Sequence, residues 1–126
     1  IRALHKNYKL GVISDAIFSQ GRALRSLLEG EGLLQYFDVF VFSDEIRHSK
    51  PEPVVFQAAL QGFDIEPGQM VHIGDREHND IAGPKSLGVK AILCTAAIDR
   101  DSANTNAEAT FSNYKDLPGI IEKFNQ

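Results

Sequence analysis

Short apolar, β-branched runs alternate with helical patterns along this chain, and that alternation restricts its fold more than any other feature. The runs fall at residues 9–14, 39–43, 70–74 and 89–94, with a fainter one at 109–111. Helical patterns occupy 21–29, 53–62, 79–87 and 117–124. Strands that alternate with helices predict parallel βαβ units, with helices covering both faces of one sheet. The expected architecture is therefore an α/β three-layer sandwich with a mostly parallel sheet. In the second helical pattern Val54, Val55, Ala58, Ala59 and Phe63 recur at helical spacing, and Pro53 suits the first turn. Pro84 interrupts the third pattern, where it is tolerated in the first turn and would kink the helix deeper in. Gly88 suits the stop of that helix. The polar stretch from Thr95 to Glu108 reads as a mobile surface loop, long enough to carry function.

A chain of 126 residues suits one domain with one core, so residues 1–126 are read as a single domain. With 43% hydrophobic and 24% charged residues, the chain is expected to be globular. The net charge is −4 and no cluster of Lys and Arg forms a stripe, which argues against nucleic acid or an anionic membrane as the main partner. Cys94 is the single cysteine, so no disulfide forms within the chain, as suits a reducing cytoplasm. No apolar run approaches the roughly 20 residues a membrane span needs, and the opening residues are too polar for a signal peptide. A cytoplasmic location is the expectation.

Chemistry concentrates in Val71-His72-Ile73-Gly74-Asp75-Arg76-Glu77-His78-Asn79-Asp80-Ile81-Ala82-Gly83. An apolar run ends in Gly-Asp, a polar turn follows, and a second aspartate opens a helical pattern. The carboxyl ends of parallel strands are where open α/β sheets bind ligands, and carboxylates there suit Mg²⁺, which takes one or two of them together with phosphate oxygens. Upstream, Ser14 ends the run Leu10-Gly11-Val12-Ile13, and Lys50 lies in Ser49-Lys50-Pro51-Glu52-Pro53. A serine hydroxyl and N–H at a strand end can hold an anion, and a lysine ammonium is a compact charge suited to a phosphoryl group. Each residue also has a plain alternative. Asp75 could cap the following helix, Asp80 could favour its amino end, Lys50 could be a solvated loop lysine, and Ser14 a turn serine. His72 and His78 flank Gly74-Asp75, but their side chains should diverge, which argues against a shared zinc site.

The order Ser14, Lys50-Pro51 and Gly74-Asp75 to Asp80 closely resembles the haloacid dehalogenase (HAD) superfamily, most of whose members are Mg²⁺-dependent phosphatases. The resemblance extends over essentially the whole chain, including Tyr36-Phe37-Asp38 and Ser86-Leu87-Gly88-Val89-Lys90-Ala91. It implies a Rossmann-like fold in which Ser14 and Lys50 are catalytic and bind the phosphoryl group, and Asp75 and Asp80 serve the metal. Mg²⁺ would be the cofactor and a small phosphorylated metabolite the substrate. Asp15 is placed beside the phosphate pocket and departs from the family's common Asn. A carboxylate there would repel substrate, so Asp15 is expected to point away or to mark altered chemistry.

The family's nucleophile, the first aspartate of an Asp-x-Asp-x-Thr/Val element on the first core strand, has no counterpart in these 126 residues. Asp15-Ala16-Ile17-Phe18-Ser19 mimics it loosely, but Ile17 stands where the second aspartate belongs. The chain is therefore expected to be the carboxyl-terminal part of a HAD core, with the first strand and any cap lying upstream. That strand would sit centrally, between those ending at Ser14 and Gly74. The gap should be closed by direct pairing of those two strands, by self-association, or by an upstream segment, the last being preferred. In the leading reading the complete protein is a phosphatase using an aspartyl-phosphate intermediate. The alternative is a non-catalytic HAD-like binding or interaction module, and a receiver-type phosphoacceptor domain is a distant third.

Overall fold

The computed structural model describes residues 1–15 and 21–124. It comprises two compact units, Ile1–Ile65 and Glu66–Gln126.

The first unit opens with a single helical turn, α1 (Arg2–His5). Strand β1 (Gly11–Ser14) then pairs in parallel with β2 (Val39–Phe42), in a register that sets Ser14 opposite Phe42. Helix α2 (Gly21–Gly30) comes between them, and its first N–H is held by both Asp44 carboxylate oxygens at 3.0 Å. Asp44 belongs to α3 (Ser43–Ile46), a short helix that the sequence pattern did not announce. Helix α4 (Pro53–Phe63) begins on Pro53 and ends at Asp64, a left-handed residue with φ 57°. Its buried face is Val55, Phe56, Ala59 and Leu60. Val54, read from spacing as a core residue, is exposed, and Ala58 and Phe63 are only half-buried. The inward stripe is thus rotated from the one expected. Close approach to the sheet explains this: a Cβ on Gly62 would lie 2.9 Å from Val39, and one on Gly11 would lie 2.8 Å from the Phe63 ring.

In the second unit, β3 (Val71–Gly74), β4 (Lys90–Cys94) and β5 (Ala109–Phe111) form a parallel sheet in that order. The central strand β4 is apolar from Ala91 to Cys94 and buried along that length, as a strand covered on both faces must be. Ile81, Ala91 and Leu93 pack together as a core cluster.

The region expected to be a regular helix over 79–87 is instead a wide π-helical turn, Glu77–Ala82, followed by α5 (Gly83–Lys85). The turn closes through the Gly83 N–H on the His78 carbonyl. Pro84 has no N–H to give, so the regular ladder cannot run through it, and a π turn accommodates the break. Gly88, at φ 85°, ends the segment: its N–H reaches the Lys85 carbonyl, and that of Val89 reaches Pro84. Helix α6 (Leu117–Lys123) follows β5.

The stretch after Cys94 is tied down rather than mobile. Asp99 accepts from the Asp101 and Ser102 N–H groups, while Thr105 Oγ1 and the Asn106 N–H donate to Glu77 at 2.6 and 2.8 Å. Lys85 Nζ reaches the Asn106 carbonyl at 2.7 Å.

Among the described residues, β1 is hydrogen-bonded to β2 within the sheet of the first unit, and β3 to β4 within that of the second.

Candidate functional site

Three of the residues singled out from the sequence lie in the first unit. Ser14 is the last residue of β1 and is half-buried, as its neighbour Asp15 is. Asp15 Oδ1 accepts a hydrogen bond from the Lys50 backbone N–H at 3.1 Å. One carboxylate oxygen of Asp15 is thus committed to the loop that carries Lys50. That bond ties the strand end to the lysine across 35 positions of sequence. Ile17, on which the loose Asp-x-Asp likeness turned, lies outside the described residues.

In the second unit the Gly-Asp turn is built around Asp80. This side chain is 2% exposed, with Oδ1 3.0 Å from His72 Nε2 and Oδ2 3.1 Å from the Arg76 N–H. His72 and Asp80 thus form one buried hydrogen-bonded pair. Gly74 is required here for steric reasons, because a Cβ at that position would run into Asp80's Cβ and carboxylate. The motif thus has a local cause: the strand ends in glycine so that the buried aspartate can fold back beneath the turn.

Asp75, next in sequence, faces a different set of groups. Its Oδ2 lies 3.5 Å from Arg100 Nε, and the two side chains are 42% and 43% exposed. Tyr114 stands nearby, accepting from the Cys94 thiol at 3.5 Å. The Tyr114 phenol is raised above its ordinary value by the hydrogen bond with Cys94, then by partial burial and by the negative charges of Cys94 and Asp75.

His72, Arg100 and Tyr114 were not selected from the sequence as site residues. His72 had been weighed only as a zinc ligand, and among the described residues no group of three or more His, Cys, Asp or Glu side chains could hold a metal. The length of the loop after Cys94 was the one available signal for Arg100.

The first unit thus has a strand-end serine whose neighbour is linked to a lysine loop, and the second a Gly-Asp strand end braced by a buried aspartate, each on a parallel α/β sheet. A family model for haloacid dehalogenase-like hydrolases matches residues 1–94, and the chain belongs to that family. It is 34% identical over 105 residues to a glyceraldehyde 3-phosphate phosphatase of Methanothermobacter thermautotrophicus, covering 80% of this chain and 45% of that protein. Among solved structures, a HAD phosphatase from Thermococcus onnurineus is similar with a TM-score of 0.82 and 32% identity, over 95% of this chain and 54% of that one. A 2-haloacid dehalogenase from Pseudomonas syringae aligns with a TM-score of 0.81 and 28% identity, over 98% of this chain and 50% of that one. The chain spans less than half the length of the curated relatives it matches. Among the described residues no helix is long and apolar enough to cross a membrane.

Proposed function

We propose that this chain is part of the core domain of a HAD phosphohydrolase acting on a small phosphorylated metabolite. The observation that carries the reading is the Gly74-Asp75 strand end, which presents one half-exposed carboxylate while Asp80 is buried beneath it. Phosphatase names among its relatives point the same way. In this reading residues 1–126 belong to one domain. Ser14 and Lys50 bind the phosphoryl oxygens and stabilise the charge that develops on them. Asp15 positions Lys50 through its backbone, and Asp80 holds the turn that aims Asp75. The attacking carboxylate comes from an Asp-x-Asp element outside these residues, giving an aspartyl-phosphate that water hydrolyses.

Mg²⁺ fits this donor set in kind, since Asp75 offers the hard oxygen the ion prefers. It fits less well in number: Asp80 is turned to His72 and Arg76, so further donors must come from beyond the described residues. When bound, Mg²⁺ supplies charge neutralisation at the phosphoryl oxygens. Retention of both aspartates favours phosphate chemistry over dehalogenation.

A second reading, a non-catalytic HAD-like module, is favoured by one fact: the sequence holds no Asp-x-Asp-x-Thr/Val element. Hydrolysis of p-nitrophenyl phosphate with Mg²⁺ separates the two. This chain should show no turnover. A longer product carrying Asp-x-Asp should turn over, and Lys50→Ala in it should lower kcat by about 100-fold or more, as loss of a charge-stabilising group does. A longer product inactive across a panel of phosphorylated metabolites would establish the module instead.

A further inference from the structure

Glu52 stands at the start of α4 but does not cap it. A side chain in that position ordinarily accepts from an N–H in the first turn of its own helix. The Glu52 carboxylate makes no such bond. It turns back instead, with Oε2 2.7 Å from His48 Nδ1, across the bend that carries Lys50. The backbone closes the same bend, because the Glu52 N–H donates to the Ser49 carbonyl at 2.9 Å. The Glu52 carboxyl is held below its ordinary value chiefly by the hydrogen bond with His48, and the Ser49 backbone adds to this against the cost of desolvation. Residues 48 to 52 thus enclose Lys50 and Pro51 in a ring of short contacts. From outside the ring, Asp15 Oδ1 accepts the Lys50 N–H at 3.1 Å. Carboxylates from a strand end and a helix start therefore grip one bend from two sides, and all these residues belong to the first unit.

We infer that Glu52 is a positioning residue, fixing through His48 and Ser49 the bend that presents Lys50 to the phosphoryl group. The inference rests on the role that the proposed function gives Lys50. A lysine ammonium sits on a long flexible stem, so its backbone must be held before the charge can be placed with precision. His48 and Glu52 are both about half exposed, and an exposed pair adds little to global stability. Its effect falls on one peptide unit, and that peptide belongs to the lysine.

Two measurements test this. In the 126-residue chain, Glu52→Ala should lower the hydrogen-exchange protection of the Lys50 amide by up to about fivefold, the range set by an exposed ion pair, and leave Ala59 and Leu60 of α4 unchanged. Glu52→Gln keeps an acceptor oxygen and should restore part of the loss. Unchanged protection at Lys50 would overturn the inference. So would an equal loss along α4, which would make Glu52 a support of the helix alone. In a longer product carrying the Asp-x-Asp-x-Thr/Val element, Glu52→Ala should lower kcat for p-nitrophenyl phosphate by up to about fivefold, and have no further effect once Lys50 is alanine. The same loss in both backgrounds would overturn the positioning role and leave the assignment of Lys50 standing. If Lys50→Ala leaves kcat unchanged, or if no longer product turns over, the role of Lys50 falls and that of Glu52 falls with it.

Discussion

Gly74→Ala is the most exacting test of how this turn is built. The added methyl would occupy space filled by Asp80's Cβ, carboxyl carbon and Oδ2, so either Asp80 or the strand end must move. Asp80 cannot move freely, because it is 2% exposed and braced by His72 and the Arg76 N–H. Overpacking of this kind costs about 1–3 kcal/mol. A buried polar group left without its partner costs about 1–3 kcal/mol more, and His72, at 9% exposure, is poorly placed to find water instead. Movement of Asp80 would relieve the clash at the expense of the hydrogen bonds, so the two terms overlap. A net destabilisation of about 2–4 kcal/mol is expected. Gly68→Ala is the control: a Cβ there meets nothing within 4 Å, and the change should stay within about 0.5 kcal/mol of wild type. Urea unfolding followed by far-UV circular dichroism measures both. A Gly74→Ala chain as stable as the Gly68→Ala chain would refute the steric account of the Gly-Asp motif.

Asp15→Asn should preserve the Lys50 loop, because an amide oxygen can still accept the Lys50 N–H, while Asp15→Ala should cost about 1 kcal/mol by the same unfolding assay. If Asn proves as damaging as Ala, the carboxylate has a role beyond that hydrogen bond. At Glu108, burial pushes the carboxyl pKa up but is outweighed by hydrogen bonds from the Ala91 N–H at 2.8 Å and Lys85 Nζ at 3.0 Å, and the net shift is downward. A depressed carboxyl contributes stability above its unfolded pKa of about 4.3, and that stability is lost as pH falls through the lower folded value. Urea midpoints measured from about pH 6 down to about pH 3 should therefore fall more steeply for wild type than for Glu108→Gln; parallel curves would count against the assignment. Calorimetry should find Mg²⁺ binding to this chain weak, since Asp75 offers one carboxylate and Mg²⁺ gives up its water reluctantly. Micromolar affinity would mean that another residue completes the site.

Much of the fold could be read along the chain because its signals are local. Apolar runs marked the five strands among the described residues to within one or two residues, Pro53 marked the start of α4, and Gly88 marked the stop after α5. The Gly-Asp turn, the serine at a strand end and the lysine beside a proline were legible for the same reason, each being a short pattern on a predictable element. What escaped the sequence depends on groups far apart along the chain or on how closely elements approach. Spacing alone could not show that the inward face of α4 would omit Val54, because Gly62 and Gly11 set how the helix lies on the sheet. Nor could it pair Asp15 with the Lys50 N–H, fasten the loop after Cys94 to Glu77, or bring Arg100 to Asp75. Side-chain charges act through space, and only the folded backbone decides which of them meet.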